Sequence, residues 1–289
     1  MKPAPFEYLA PKSMAEALDL LGQNDPDEVK LLAGGQSLMP MLNMRLARPS
    51  LVLDLGRVEG LDYLEERDGV LAIGAMATKR TVEESPLVKD QYPLLWAATV
   101  AIGHPPIRNR GTVGGSMAQA DPASEYPAVA LVSDMEFVVV GAAGERVIRA
   151  EDFFVTYLTT AIEPGEILTE VRVPRWPSGT GWGFQELARR HGDFAIVGAV
   201  ATLRLEQGLC AAPRIALFGV TDRAIRIAEA EEQLSGSAPD PSVLETAGAL
   251  SAAAVEDPLS DVHASAEYRA HLAQVLSVRA MREAVDRAG

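Results

Sequence analysis

The sequence predicts an α+β protein with a two-lobed first domain and a smaller second domain. Its 289 residues can supply two hydrophobic cores of ordinary size. After an opening helix the chain has a strand, helix, strand order, and it then changes to antiparallel hairpins with helices between them. Proline and glycine concentrate at residues 174–181, which we interpret as a linker. We therefore expect a first domain at 1–176, with lobes of about 1–56 and 57–176, and a second domain at 177–289.

The first lobe is predicted to be a small parallel α/β unit. Ser13–Glu16 has the pattern of a capping box that opens a helix ending at Gly22. Residues 29–33 form a short apolar run typical of a strand, residues 38–44 a brief helix, and residues 51–55 a buried strand. This order favours parallel pairing of the two strands.

The second lobe is predicted to be a mostly antiparallel sheet with helices on one side. Asp68-Gly69 is a hairpin signal between two short strands, and Pro93 is tolerated in the first turn of a helix. The predicted segments are strands within 62–76 and at 136–140, 146–149 and 167–173, and helices at 82–88 and 93–102.

The second domain is predicted to contain a three-stranded antiparallel sheet and a helical bundle. Its strands are joined by short connections that contain Gly192 and Gln207-Gly208, which favours antiparallel order. The predicted strands are 184–188, 195–205 and 214–220, and the predicted helices are 224–234, 242–255 and 266–287.

The composition excludes several classes of function. Acidic residues exceed basic residues by 40 to 26, which gives a formal net charge of −14, and no basic stripe offers a surface for nucleic acid or an anionic membrane. Cys210 is the only cysteine, so the chain cannot form an internal disulfide or ligate an iron–sulfur cluster through cysteines. The histidines show no metal-ligand spacing. A redox role would therefore require an organic cofactor.

The sequence carries no sign of a membrane or export segment. No apolar run approaches the roughly 18 residues that a membrane helix needs. Met1–Glu7 has neither the apolar core of a secretion signal nor the pattern of an organelle signal. A cytoplasmic location is therefore expected.

Two glycine loops are the most informative feature of the sequence. Leu31–Leu38 and Gly111–Ser116 each contain an apolar or β-branched run, a glycine pair and a small polar residue. Glycine lets the backbone approach a ligand closely, and successive N–H groups in such a turn can bind an anion. Two such loops could hold the two phosphates of a dinucleotide from opposite sides. A plain turn or bulge is the alternative for either loop alone, and neither has Rossmann or P-loop spacing.

Four motifs occur in order along the chain: Ala33–Leu38, Arg108–Ser116, Ala120–Glu125 and Arg189–Ala195. Together they resemble the flavin-binding medium subunits of molybdenum hydroxylases, the group that includes carbon monoxide dehydrogenase and xanthine dehydrogenase. The resemblance covers essentially the whole chain. It implies an FAD-binding domain of the vanillyl-alcohol-oxidase (PCMH) type, followed by the smaller C-terminal domain of the carbon monoxide dehydrogenase flavoproteins.

The resemblance also implies which residues bind FAD. The pyrophosphate is expected on the two glycine loops, and the carboxylates of Asp121 and Glu125 near sugar or ribityl hydroxyls. The alternative for these two residues is a helix start with Asp121 as its N-cap. The implied cofactor-binding residues are Leu32, Ala33, Gly34, Gly35, Gln36, Ser37, Leu38, Ile102, Thr112, Val113, Gly114, Gly115, Ser116, Asp121, Glu125, Leu168 and Gln185.

Several of these positions carry an open alternative or a departure from the family pattern. Core packing would explain Leu32 and Ile102 nearly as well as contact with FAD. Gln185 stands where xanthine dehydrogenases have a lysine, which puts the tuning of the flavin by a cation in doubt. Phe194 could shield the edge of the flavin ring or could be a core aromatic.

The implied function is that of an electron-transfer subunit. No residue is a convincing acid, base or nucleophile, as expected when the chemistry belongs to a cofactor. The resemblance implies partners: a small subunit with [2Fe-2S] clusters and a large subunit with the molybdenum cofactor, in a heterotrimer or a dimer of heterotrimers. FAD in this chain would pass electrons to an external acceptor. The alternatives are a free-standing FAD-dependent oxidase or reductase, and a binding protein that has kept the fold and lost FAD.

Overall fold

The computed structural model describes residues 2–289, and its first lobe is the predicted parallel unit. The Ser13 hydroxyl accepts the Glu16 N–H at 3.2 Å, which caps the first helix as expected. The elements are β1 (Glu7–Leu9), α1 (Met14–Gly22), β2 (Val29–Leu32), α2 (Leu38–Asn43) and β3 (Leu51–Asp54). The strands lie in the order β1-β3-β2, and both pairings are parallel. Strand β1 was not predicted.

The second lobe is the predicted antiparallel sheet. Its elements are β4 (Leu64–Arg67), β5 (Val70–Gly74), α3 (Lys79–Glu84), α4 (Pro86–Gln91), α5 (Pro93–Ala101), α6 (Pro105–Arg108), α7 (Val113–Gln119), α8 (Glu125–Val132), β6 (Glu136–Gly141), β7 (Gly144–Arg149), α9 (Ala150–Phe153), β8 (Phe154–Thr156), β9 (Thr159–Thr160) and β10 (Ile167–Pro174). Five strands lie in the order β4-β5-β10-β6-β7, with every pairing antiparallel.

The second domain contains the three long antiparallel strands that the sequence predicts, with a short fourth strand at one edge. The elements are β11 (Gly181–Leu187), β12 (Val197–Glu206), β13 (Leu209–Phe218), β14 (Ile225–Arg226), α10 (Ala228–Leu234), α11 (Pro241–Ala253) and α12 (Ala266–Arg287). Helix α12 lies directly on β11, because a Cβ on Gly181 or Gly183 would overlap with a carbonyl oxygen of the helix. The sheet therefore packs against α12 without intervening side chains at these two positions.

Two hydrophobic cores meet at α8, a helix of the second lobe that is buried along its whole length. It packs against β12 and β13 of the second domain. Phe137 of the second lobe and Phe218 of the second domain belong to the same buried cluster. A separate cluster lies between β12, β13 and the last three helices, and a third fills the first lobe. Of the site described below, the second glycine loop is therefore anchored in the core that the second lobe shares with the second domain, and the first loop follows a strand of the first-lobe core.

One predicted helix of the second lobe differs from the structure. The segment at 82–88 belongs to two helices, because α3 ends at Glu84 and α4 begins at Pro86. The Ser85 hydroxyl accepts the Val88 N–H at 3.3 Å and so caps the second helix. Pro86 occupies its first turn, where a missing N–H costs nothing, but it cannot continue the helix before it.

Candidate functional site

The two glycine loops meet, as the sequence predicts. The first loop joins β2 to α2, and the second leads into α7. At their contact a Cβ on Gly34 would overlap with the carbonyl oxygen of Arg110 and would lie 2.7 Å from the Cα of Gly111. A Cβ on Gly115 would lie 3.1 Å from that of Ala33. Only residues without a side chain allow the two backbones to come this close.

The first loop exposes a run of unused backbone donors. The N–H groups of Gly34, Gly35, Gln36 and Ser37 donate to no protein acceptor among residues 2–289. Gly35 has φ +74°, a conformation that favours glycine, and the Gln36 side chain donates to the Gly34 carbonyl at 3.1 Å. Successive free N–H groups of this kind form a concavity suited to an anion such as a phosphate.

The second loop uses its own donors inside the protein. The Val113 N–H donates to the Ala77 carbonyl at 2.9 Å, and the Gly114 N–H donates to the Ala75 carbonyl at 3.0 Å. The Gly115 N–H donates to the Thr112 hydroxyl at 3.0 Å, which caps α7. This loop is therefore fixed against the end of β5 and the residues that follow it, where it closes one side of the concavity.

The loops line a cavity of about 280 Å³. A second hollow of about 640 Å³ shares residues 33–36 and Thr112 with it and includes Leu32. The predicted site residues that line the first cavity are Ala33, Gly34, Gly35, Gln36, Ser37, Leu38, Thr112, Gly114, Gly115, Ser116 and Leu168. The structure therefore brings most of the predicted residues together.

Two predicted residues lie outside both hollows among apolar neighbours. Val113 is fully buried in the core of the second lobe. Ile102 is partly buried against the same core, and its carbonyl accepts from Arg108. Arg108 itself is buried and pairs with Glu83 at 2.9 Å. These contacts hold the irregular segment before the second loop in shape.

The acidic residues Asp121 and Glu125 follow α7: Asp121 lies in the link to α8, and Glu125 is the first residue of α8. Asp121 is not a helix cap, because α8 begins at Glu125 with Ser124 as its N-cap. The Asp121 carboxylate instead accepts the Ala123 N–H at 3.0 Å. Glu125 is buried, and its burial raises the pKa of its carboxyl to about 8. Burial therefore favours the protonated form of this carboxyl.

Gln185 faces away from the glycine loops. Its side chain donates to Glu283 of α12 at 2.6 Å, and it lines a separate hollow of about 400 Å³ together with Arg190 and His191. The core alternative for Phe194 is wrong, because this ring is 69% exposed. This exposed aromatic lies on the same turn as His191, close to the separate hollow.

Sequence reasoning missed two charged residues near the site. Lys79, the first residue of α3, is buried and lines the 280 Å³ cavity. Glu186 lies next to Gln185 on β11; its burial raises the pKa of its carboxyl to about 7, and its charge acts on Glu125. No local pattern marks either residue. Their burial follows from the packing of α3, α8 and β11, which single-sequence periodicity does not show.

The residues present fit a dinucleotide with a diphosphate bridge. The free N–H groups of the first loop supply donors, and added Cβ atoms at Gly34 and Gly115 would meet the facing loop.

No group of three or more His, Cys, Asp or Glu within residues 2–289 is arranged to hold a metal ion. Across the same range, every helix is too short or too polar to cross a membrane.

Comparisons with known proteins identify the family. A family model described as the FAD binding domain in molybdopterin dehydrogenase matches residues 4–176. The CO dehydrogenase flavoprotein C-terminal domain matches residues 182–284. Among curated relatives, the 6-hydroxypseudooxynicotine dehydrogenase complex subunit alpha of Paenarthrobacter nicotinovorans is 42% identical over 289 residues, which cover 100% of this chain and 97% of the relative.

Solved structures agree over the whole chain. Carbon monoxide dehydrogenase from Hydrogenophaga pseudoflava matches with a TM-score of 0.97 and 37% identity, covering 100% of both chains. Quinoline 2-oxidoreductase from Pseudomonas putida 86 matches with a TM-score of 0.92 and 38% identity, covering 99% of both chains. These findings confirm the resemblance and the fold class that the four motifs predict. The chain therefore belongs to the family of FAD-binding medium subunits of molybdenum hydroxylases.

Proposed function

We propose that this chain is the flavoprotein subunit of a molybdenum-containing hydroxylase or dehydrogenase. In this role it carries one FAD, which accepts electrons from partner [2Fe-2S] clusters and delivers them to an external acceptor. The observation that carries the proposal is the contact between two glycine loops around one cavity, with four backbone donors of the first loop unused. The family membership identifies the dinucleotide as FAD.

The pyrophosphate of FAD would lie against the first loop. The N–H groups of Gly34 to Ser37 can donate to its oxygens, and the Thr112 and Ser116 hydroxyls can add donors from the facing loop. The apolar side chain of Leu168 offers a wall of the same cavity. The carboxyl groups of Asp121 and Glu125 would serve the sugar or ribityl hydroxyls. The chain itself binds and orients the cofactor and excludes water from it.

The proposal includes two partner subunits. Relatives of similar length are described as a medium subunit of nicotine 6-hydroxylase and a medium chain of carbon monoxide dehydrogenase, and these names imply larger and smaller companions. We propose a small subunit with [2Fe-2S] clusters and a large subunit with the molybdenum cofactor. A heterotrimer, or a dimer of heterotrimers, is the assembly that this predicts.

The domain boundaries and the location of the protein belong to the same proposal. We place the FAD-binding domain at 1–176, with lobes of about 1–56 and 57–176, and the second domain at 177–289. The segment 175–180 that separates β10 from β11 supports this division. A cytoplasmic location stays a prediction, and cell fractionation would test it.

The decisive experiment is to purify the tagged chain from its host together with the proteins that accompany it. The complex should contain FAD, iron and molybdenum in stoichiometric amounts, and the isolated chain should contain FAD alone. A complex without iron and molybdenum would contradict the proposal. Turnover of a small substrate by the isolated chain would instead favour a free-standing flavoenzyme, and a chain that binds no flavin would favour a binding protein.

A further inference from the structure

Lys79 is a buried cation at the edge of the proposed cofactor cavity. Its side chain is 5% exposed. The Nζ donates to the Thr112 carbonyl at 3.3 Å and lies 5.6 Å from the centre of the Tyr126 ring. A Cβ on Gly111 would lie 3.2 Å from the Nζ. The ammonium group therefore stands directly behind the second glycine loop, against the backbone that the first loop also contacts.

The Lys79 ammonium makes one hydrogen bond and no ion pair within residues 2–289. No carboxylate oxygen within residues 2–289 lies within 4.0 Å of its Nζ. The acidic group whose charge acts on Lys79 is Glu125, which lies beyond ion-pair distance, and burial raises the pKa of its carboxyl to about 8. Burial lowers the pKa of Lys79 to about 8, and the charge of Glu125 opposes this shift. Burying an ammonium group that makes only one long hydrogen bond lowers the stability of the folded chain.

The position of Lys79 points to an anion that comes from outside the chain. Lys79 lines the same cavity as the unused N–H groups of the first loop. The chain as a whole carries a net charge of −14, so a bound diphosphate would experience repulsion unless a local cation opposed it. Buried ammonium groups interact strongly with phosphate because the low local dielectric strengthens the attraction.

We propose that Lys79 is a cationic ligand of the FAD pyrophosphate and supplies the positive charge that the two glycine loops lack. This inference rests on the proposed placement of the pyrophosphate against the first loop. It assigns the cation of the site to α3, at a residue that none of the four family motifs contains. It also assigns this cation to the phosphate end of the cofactor rather than to the flavin ring.

The test compares the full-length apo chain with Lys79→Met, which keeps the length of the side chain, and Lys79→Gln, which keeps a donor for the Thr112 carbonyl. FAD binding is followed by quenching of flavin fluorescence, and ADP, which carries the pyrophosphate without the flavin, is titrated by calorimetry. Both variants should bind FAD and ADP about 10–100-fold more weakly, as expected for the loss of one charge-assisted hydrogen bond. Lys89→Met removes an exposed lysine that lies over Trp96 and should leave both affinities unchanged.

The thermal midpoint of the apo variants separates a ligand role from a structural one. Removing an unpaired buried charge should leave the midpoint unchanged or raise it. A lowered midpoint in both variants would overturn the inference, because Lys79 would then be part of the fold. Weakened FAD binding with normal ADP binding would also overturn it, since the charge would act on the flavin. Recovery of wild-type affinity in Lys79→Gln would show that only the hydrogen bond matters. Failure of the wild-type chain to bind FAD would contradict the proposed function itself.

Discussion

The two glycine loops look alike in sequence and differ in how their backbones are used. In the first loop, the N–H groups from Gly34 to Ser37 donate to no acceptor within residues 2–289. In the second loop, the N–H groups from Val113 to Ser116 all donate inside the protein. The glycine pair of the first loop permits close approach to the facing loop and leaves its donors free. The glycine pair of the second loop permits packing against Ala75, which follows β5, and its N–H groups donate to the Ala75 carbonyl and the Thr112 hydroxyl.

This difference indicates that the two loops have different roles in one binding site. We expect the first loop to supply backbone donors to the cofactor, and the second loop to supply shape, hydroxyl groups and support. A short glycine motif therefore does not by itself say whether its N–H groups are free. That depends on carbonyls elsewhere in the chain, here those of Ala75 and Ala77.

The largest effect on FAD binding is expected from Gly34→Ala, because this substitution adds a side-chain atom at the contact between the two loops. The new Cβ would overlap with backbone atoms of Arg110 and Gly111, which cannot rotate away. The apo chain should lose about 1–3 kcal/mol of unfolding free energy, and FAD should be absent from the purified protein. Denaturant unfolding and the flavin absorbance measure the two effects. Gly22→Ala is the matched control, since a Cβ there meets nothing within 4 Å; a Gly34→Ala chain as stable as this control would contradict the observed contact.

Gly115→Val should separate cofactor binding from folding. A Cβ at this position would lie 2.8 Å from the Thr112 hydroxyl and 3.1 Å from the Ala33 Cβ, so it meets side-chain atoms rather than backbone. The larger side chain would occupy space between the loops, and FAD affinity should fall by about 100-fold or more, while the second domain still folds. Circular dichroism and flavin content check this. Stoichiometric FAD in the purified variant would mean that the second loop is only structural.

Most of the fold could be predicted because hydrophobic periodicity and turn residues act locally. The hairpins around Asp68-Gly69 and Ala142–Gly144 and the three long strands of the second domain follow from such signals. The break between α3 and α4 depends on the Ser85 cap and on Pro86. The sequence contains this signal, but the predicted helix at 82–88 followed the apolar pattern instead. Helix α7 begins at a glycine pair, where local helix propensity is low, so tertiary contacts decide it.

Less of the site could be predicted, because its details depend on residues far apart in the chain. The loops themselves and their meeting followed from glycine pairs. The burial of Lys79 required α3 to pack beside a loop 33 residues later in the chain. On β11 neighbouring side chains point to opposite faces of the sheet, so Gln185 turns to α12 while Glu186 turns toward Glu125. A difference of one residue along β11 thus decides which side chain interacts with α12 and which one acts on Glu125.

The third prediction concerns the buried acid behind the second loop. The pKa of Glu125 is raised from its ordinary value of 4.5 to about 8 in the folded chain, so the unfolded chain releases this proton first. Between these two pH values the stability of the apo protein should fall as pH rises. Glu125→Gln should reduce this slope and raise the unfolding free energy at pH 8 by about 4 kcal/mol. Urea unfolding at several pH values measures it. An unchanged slope in Glu125→Gln would mean that Glu125 is ionised in the folded chain. A smaller slope should remain in this variant because the pKa of Glu186 is also raised, to about 7.

Thr112→Val tests the supporting role of the second loop. The Thr112 hydroxyl accepts the Gly115 N–H and caps α7. Its loss should lower the unfolding free energy of the apo chain by about 1 kcal/mol and weaken FAD binding through the displaced loop. Thr112→Ser keeps the oxygen and is the control. Equal stability of the valine and serine variants would show that the cap contributes little, and would remove one of the differences between the two loops.

Ser37→Ala should give the opposite pattern, because the Ser37 hydroxyl of the first loop makes no hydrogen bond within residues 2–289. It stands at the N-cap position of α2 without a side-chain cap hydrogen bond, and it is exposed. The apo stability should therefore change by less than about 0.5 kcal/mol, while FAD affinity falls by about 3–10-fold if the hydroxyl donates to a phosphate oxygen. Thermal unfolding of the apo chain and FAD titration measure the two effects. A stability loss equal to that of Thr112→Val, with FAD affinity unchanged, would mean that both loops are scaffolds, and the free donors of the first loop would need another explanation.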